Sequence, residues 1–442
     1  MSGLFRGGLS IKISIIIPVY KSAEFLRRIL DCFVYQTMRT SDLSLLEVIV
    51  VNDCSPDTGD SIITREYCQR FPHVVTEIVL GKNLGVGGAR NAGVAAARGD
   101  FIQFADADDY ADLTMCEKLY DVAIKENADI VVCGAMTLRN GRIDISPPVL
   151  DIANPEEFCR FTPQIWKMLI KRDFYLSTKS RFMEHVSTDD LISLLWFLSA
   201  DRIAVVKEPL YYWIRRGVSM SGELSYDFYL SYPVVFADFL TFEMYDRLSL
   251  AKKKILALFI AKTLHRALSG VMAKYPNKLS HYLSHMKKCK KLLEFTELCN
   301  REFNHGQFSF QVISAVIEDA DFMDKTVINR IEKRMFPQYI QPLLNGCDQD
   351  KFVIKGASDV GRMFAMCFHS CHIDFDMTDD NPNICGSVIE GRTVKSWSEC
   401  LADVKQFQRV TVFLTANYAF ESIKQALQKD SPNINVVNLH WL

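Results

Sequence analysis

The feature that most constrains this chain is an alternation of two hydrophobic periods in its first third. Continuous apolar runs at residues 13–17, 48–51, 74–80, 101–104 and 130–133 read as strands buried on both faces. Between them, residues 23–36, 59–70, 88–98 and 113–127 carry helical spacing. Strand–helix alternation of this kind predicts an α/β fold with a doubly wound sheet, and such sheets bind ligands beyond the carboxyl ends of their strands. The chemistry is therefore expected at those ends.

At 442 residues the chain exceeds one compact core, so further domains are expected. Residues 134–220 are mixed, with an amphipathic helix expected over 164–171 and a longer helix after Thr188. From about Ser225 to Phe336 the pattern is helical, and a loop-like stretch follows to residue 350. KFVIKGASDVGRMFAM then opens a second α/β unit, with later strands at 410–414 and 435–437. The predicted division is 11–223, 224–349 and 350–442, the last a small Rossmann-like α/β domain.

Composition excludes some classes. With a net charge of −2 there is no global bias toward nucleic acid. No apolar run is read as reaching the ~18–20 residues of a membrane span; the nearest, 191–200, is broken by serines. The start, MSGLFRGGLSIK, lacks the apolar core of a signal peptide, and thirteen irregularly spaced cysteines fit reduced thiols, so a cytoplasmic location is expected. Residues 251–293 hold eleven Lys or Arg and no Asp or Glu on a helical pattern. They read as a solvated face or, alternatively, as a peripheral contact with an anionic membrane surface or acceptor.

The sharpest motif is FADADDY, residues 104–110, directly beyond the fourth strand. If this segment is extended, Asp106 and Asp108 point the same way and converge on one cation. Carboxylates suit Mg²⁺ or Mn²⁺, which also accept phosphate oxygens and stabilise a departing diphosphate. Upstream stand ISIIIPVYKSAEFL, EVIVVNDCSPDTGD and GKNLGVGGARNAGVAAARGDFIQFADADD. Pro18, Val19 and Tyr20 end the first strand, where backbone and ring can face a nucleotide, and Asp53 follows the second, where it can accept a base N–H. Gly85, Gly87 and Gly88 read as a loop before a helix whose N-terminus favours an anion, with Arg90 able to add a charge-assisted bond to phosphate. Asn91 and Gly93 read as structural.

These segments, in this order, resemble glycosyltransferase family 2, enzymes of the GT-A fold. The family carries an IIPxYN-like strand end, a VDDGSxD-like loop, an NxGxxxARNxGxxxAxGxYxxFxDxDD run and a downstream ED pair. The resemblance covers roughly residues 11–220; Asn52, Cys54 and Pro56 depart from it, where Asp, Gly and Thr are commoner. It implies an inverting transfer of sugar from a nucleotide-diphosphate donor, a UDP-sugar, to a hydroxyl of a glycan or lipid-linked acceptor in cell-surface polysaccharide synthesis. It also assigns a donor-binding set of Pro18, Val19, Tyr20, Asp53, Asn83, Arg90, Asp106 and Ala107, with Asp106 and Asp108 on the metal.

The ED pair maps to Asp189–Asp190 in MEHVSTDDLISLLWF. There a carboxylate can take the acceptor's proton, with Asp190 as base and Asp189 as helper, although acids at a helix start are also favoured by the dipole alone. PQIWKMLIKRDF resembles the family's acceptor-side helix, in which Trp166 either stacks on a sugar or fills the core. EPLYYWIRRGVSMSG supplies Arg215, Arg216 and Ser219, which either close over the diphosphate or form a plain loop. Two rivals stand beside this reading: an NAD- or nucleotide-sugar-modifying enzyme run from the C-terminal unit, where Gly356 and Gly361 give a weak dinucleotide signal, and a non-catalytic binding scaffold. Homo-oligomerisation is compatible with all three.

Overall fold

The structure, a computed structural model, describes residues 11–38, 45–139, 142–146, 164–184, 189–215, 225–241, 243–291, 307–318, 344, 350–357, 359–370, 372–415 and 420–438. By its contacts the chain divides into two compact units. The first comprises Met1–Ala153, Phe161–Ser231 and Thr241–Ser249; the second comprises Asn154–Arg160, Tyr232–Leu240 and Leu250–Leu442.

The first unit is built on a mixed sheet. Its strands are β1 (Ile13–Val19), β2 (Leu46–Asn52), β3 (Val75–Val79), β4 (Phe101–Phe104), β5 (Tyr110–Ala111), β6 (Ile130–Arg139), β7 (Arg142–Ser146), β8 (Met168–Lys171) and β9 (Ile203–Arg215). Their order is β3-β2-β1-β4-β8-β6-β9-β5, with β7 paired to β6. The β3-β2-β1-β4 half is parallel. Strand β8 runs antiparallel to both β4 and β6, and β9 runs parallel to β6. Strands β1 and β2 are buried along their whole length, which is why they read as mostly apolar runs rather than as alternating ones.

Helices α1 (Ala23–Val34), α2 (Gly59–Arg70), α3 (Gly85–Ala96) and α4 (Met115–Glu126) connect these strands, followed by α5 (Arg172–Ser177) and α6 (Asp189–Ser199). Helix α3 lies close on the sheet: a Cβ on Gly93 would stand 2.4 Å from Ile16 Cγ2. The structural role expected of Gly93 thus has a direct steric cause.

Three local expectations change. Gly85, Gly87 and Gly88 do not precede the helix but form its first turn, Gly85 taking φ +73°. A Cβ on Gly87 would meet Met183 O at 2.0 Å, so close approach rather than loop flexibility demands glycine there. The helix expected over 164–171 is one 3₁₀ turn, Ile165–Lys167, followed by β8; a short apolar run fits either period, and pairing with β4 and β6 decided it. Strand β9, within the segment read only as mixed, was not anticipated.

The region after β9 is helical: α7 (Tyr226–Phe239), α8 (Glu243–Arg247), α9 (Leu250–Lys274), α10 (Leu279–Met286) and α11 (Gln307–Glu318). Helix α9 corrects the reading that nothing reaches membrane-span length, because its 25 residues are long and apolar enough by length and composition. Yet 78% of its apolar window is buried inside the fold, as in the core helix of a globular unit. The basic segment therefore has its apolar side covered by protein.

The second unit's sheet contains β10 (Lys351–Lys355), β11 (Phe375–Thr378), β12 (Val388–Ile389), β13 (Arg392–Lys395), β14 (Val410–Leu414) and β15 (Ile434–Asn438) in the order β12-β13-β11-β10-β14-β15. All pairs are parallel except β12–β13. Helices α12 (Asp359–Ser370), α13 (Trp397–Val404) and α14 (Phe420–Asp430) connect them. Gly356 takes φ +107°, and a Cβ on Gly361 would stand 1.9 Å from Gly356 O, so both glycines serve a tight strand-to-helix turn.

Candidate functional site

The carboxyl ends of β1, β2 and β4 in the first unit gather most of the expected residues. At the end of β1, Pro18 and Val19 are buried, and the Val19 side chain belongs to the core. Tyr20 is 44% exposed and is the member of that trio whose ring faces solvent. Beyond β2, Asp53 donates its N–H to Val19 O, and one carboxylate oxygen accepts the Leu84 N–H at 2.7 Å. Asn83 donates to Asp53 O at 3.0 Å and accepts the Gly85 N–H at 3.2 Å. Asp53 and Asn83 thus fix the turn that launches α3. Cys54, where the family more often has glycine, is exposed at φ +57°.

Beyond β4 the chain does not continue extended. The Asp109 N–H returns to Asp106 O at 3.3 Å, closing a turn with Ala107 and Asp108 at its centre. The alternation argument that aimed Asp106 and Asp108 together does not apply to a turn. Ala107 is 6% exposed, while the side chains of Asp106 and Asp108 are partly accessible.

Three residues outside the expected set hold this turn. Arg28 on α1 donates to the Asp108 and Asp109 carbonyls and lies 4.1 Å from the Tyr110 ring centroid. Tyr211 on β9 accepts the Asp106 N–H and donates to the Asp109 carboxylate, each at 3.0 Å. Asp109, fully buried, also accepts the Ile214 N–H at 2.9 Å. Burial and then the charge of Asp106 push its carboxyl well above the usual carboxylate range.

The centre of the site is Arg90. Its side chain, 2% exposed, reaches Asp106 at 2.9 Å and Asp189 at 2.5 Å. Burial alone would favour losing the proton, but the two carboxylates outweigh it and raise the guanidinium above its ordinary value. The Phe182 ring lies 5.5 Å away, and the Phe182 backbone is held by reciprocal bonds to the Asn91 side chain at 2.8 and 3.0 Å. Asn91 is thus structural in a specific sense: it ties the segment before α6 to α3. Asp189 opens α6, and burial, only partly offset by Arg90, raises its carboxyl.

The phosphate contact expected of Arg90 therefore competes with two carboxylates already in place. Its Nε nevertheless has no hydrogen-bond partner among the described residues. Asp190 is the second residue of α6, and Arg215 ends β9; both side chains lie outside the described residues, as do Arg216 and Ser219 altogether. Of the two roles open to Trp166, acceptor platform or core residue, its placement matches the core. It is 6% exposed and stacked on Tyr211 with centroids 4.4 Å apart, so it braces the tyrosine that holds the aspartate turn.

Comparison with known proteins points the same way. Residues 14–172 match the family model described as glycosyl transferase family 2. The chain is 31% identical over 213 residues to the uncharacterized glycosyltransferase EpsJ of Bacillus subtilis, covering 45% of this chain and 60% of that protein. It is 30% identical over 220 residues to the poly(ribitol-phosphate) beta-glucosyltransferase of Bacillus spizizenii, covering 48% and 33%. The chain thus spans about a third to three fifths of these relatives' lengths. Among solved structures, residues 1–349 of TarS from S. aureus, in complex with UDP-GlcNAc, share the fold with a TM-score of 0.59 at 20% identity over 75% of this chain and 92% of that one. The aspartate turn at the sheet's carboxyl edge thus lies within a segment, residues 14–172, that is similar to glycosyltransferase family 2.

Proposed function

We propose that the first unit transfers a sugar from a nucleotide-diphosphate donor to a hydroxyl, with inversion, in the assembly of a cell-surface glycan. The observation that carries this reading is the Arg90 bridge, because one buried cation joins the aspartate turn beyond β4 to the acid that opens α6. On this reading donor-side and acceptor-side chemistry meet at one edge of one sheet. TarS binding UDP-GlcNAc and a relative named for glucosyl transfer to poly(ribitol phosphate) support a UDP-sugar donor and a glycan or lipid-linked acceptor.

In this reading Tyr20 offers a face to the base, and Asp53 both shapes the turn into α3 and reads the base edge. Asp106 and Asp108 are hard oxygen ligands whose chemistry fits Mg²⁺ or Mn²⁺. Among the described residues no three His, Cys, Asp or Glu side chains form a ready metal cluster, so the donor's diphosphate would complete the shell. When bound, the ion supplies charge stabilisation to the leaving nucleotide. Asp190 takes the acceptor proton as the hydroxyl attacks the anomeric carbon, while Asp189, fixed by Arg90, sets the start of its helix. Arg215, Arg216 and Ser219 close over the diphosphate.

Calorimetric titration of UDP in the presence of Mn²⁺ tests the donor half of this reading. Wild-type protein should bind, and Asp108→Ala should lose the metal-dependent part of the affinity. Equal affinity in the two proteins would remove Asp108 from the metal.

A further inference from the structure

A cavity of about 420 Å³ opens at the end of the sheet opposite the aspartate turn, where β4 begins rather than ends. Its volume falls within the range of small-molecule sites. It is bounded by Gly99–Phe101, the last turn of α4 with Asn127, and the β8–α5 junction Lys171–Asp173. Strand β4 spans four residues, so about 13 Å of sheet separates this cavity from the donor edge.

The charges lining the cavity are unequally matched. Asp100 is committed to Lys12 at 3.0 Å. Lys171 and Arg172 form no ion pair among the described residues, and Arg172 Nε is buried without a hydrogen-bond partner. The Arg172 backbone is fixed by its N–H to Asp100 O at 2.8 Å, so the side chain is anchored at the cavity while its guanidinium remains uncommitted. Two cations therefore face one uncommitted carboxylate, Asp173.

The remaining walls are of two kinds. Asn127 and Asp173, both exposed, present groups that bond hydroxyls, and Ile124, 56% exposed, adds an apolar surface. Paired cations, hydroxyl-bonding groups and a small apolar face describe a site for an anion carried on a polyhydroxylated frame.

We propose that this cavity is a second binding site, for a sugar- or polyol-phosphate, separate from the nucleotide-sugar site. Such a ligand has two sources: a free phosphorylated metabolite, or a phosphate-bearing unit of a polymeric acceptor held away from the reacting hydroxyl. The shared chemistry is the phosphate on Lys171 and Arg172, with the carrier's hydroxyls on Asn127 and Asp173.

The test is calorimetry on the full chain with the donor site saturated by UDP and Mn²⁺. Glucose 6-phosphate, inorganic phosphate and a ribitol-phosphate oligomer are titrated separately. The proposal expects glucose 6-phosphate to bind one site more tightly than inorganic phosphate, and the double variant Lys171→Gln, Arg172→Gln to weaken it ~10–100-fold, the scale of lost charge-assisted bonds. UDP affinity should not move in that variant. Asp173→Asn, an exposed change that removes the opposing charge, should tighten phosphate binding and keeps the test informative if the double variant does not fold. An oligomer that binds more tightly than the monomer identifies the polymer as the source; equal or weaker binding identifies the free metabolite. Unchanged glucose 6-phosphate binding in both variants, or inorganic phosphate binding as tightly as the ester, overturns the proposal.

Discussion

Replacing Arg90 by Gln tests whether the bridge between the two halves of the site holds the fold as well as the chemistry. The guanidinium is 2% exposed and contacts carboxylates that are 31% and 21% exposed. Removing one partner of a buried pair costs ~3–5 kcal/mol, and the partial exposure of both carboxylates places this case near 3 kcal/mol. The pH dependence carries the sharper information. Asp189 already has its carboxyl raised by burial, so its folded value lies above its unfolded one. Such a group contributes stability that is complete below the unfolded value and is lost as pH rises through the folded one. Without Arg90 the raising influences, burial and Asp106, act unopposed, and the folded value climbs further. The stability gap between variant and wild type should therefore be widest near neutral pH and narrow as the solution is acidified toward the carboxylate range. Urea denaturation at a series of pH values measures it. A gap below ~1 kcal/mol at neutral pH, or one constant across the series, would refute the argument that Arg90 compensates two buried charges.

Further outcomes follow from single positions. Asp190→Asn should lower transfer by ~10²–10⁴ in a steady-state assay while leaving UDP affinity nearly unchanged, the signature of a lost general base; a larger loss at Asp189→Asn would exchange the two roles. Gly93→Ala should destabilise by ~1–2 kcal/mol in thermal denaturation, because the clash with Ile16 at 2.4 Å outweighs the ~1 kcal/mol helix gain; a stabilised variant would show that α3 can shift. Cys54→Gly should raise stability by roughly 0.5 kcal/mol, since relief of a left-handed φ of +57° exceeds glycine's entropic cost, and a lower melting temperature would contradict this.

What the sequence disclosed, and what it hid, follows from the range of the interactions involved. Strands β1 and β2 announced themselves because both faces are buried and apolar residues dominate them, with Ser14 and Glu47 near their starts paired to each other at 2.6 Å. Their alternation with helices made a doubly wound sheet legible, whereas the order β3-β2-β1-β4 came only from the structure. Residues 164–171 misled because so short an apolar run fits either period, and only their neighbours make Met168–Lys171 a strand. The glycines of α3 were read as a loop because glycine lowers helix propensity, whereas contact with Met183 O was the deciding constraint. Arg28 lies 80 positions from Asp108, and no local pattern marks it. Tyr211 and Asp109, 102 positions apart, meet only when β9 joins the sheet. Asp106, Arg90 and Asp189 were each visible as residues that chemistry would want; that one cation binds both acids was not.

The most direct measurement of the central claim is nucleotide release from a panel of nucleotide-sugars by the full chain, with mixed glycan acceptors, with and without a chelator. Acceptor-dependent release of UDP from at least one UDP-sugar is expected, abolished by chelation and by Asp108→Ala, and reduced in Asp190→Asn. Release that persists unchanged in the Asp108→Ala and Asp190→Asn proteins, or no turnover of any nucleotide-sugar by protein that binds UDP, would contradict it.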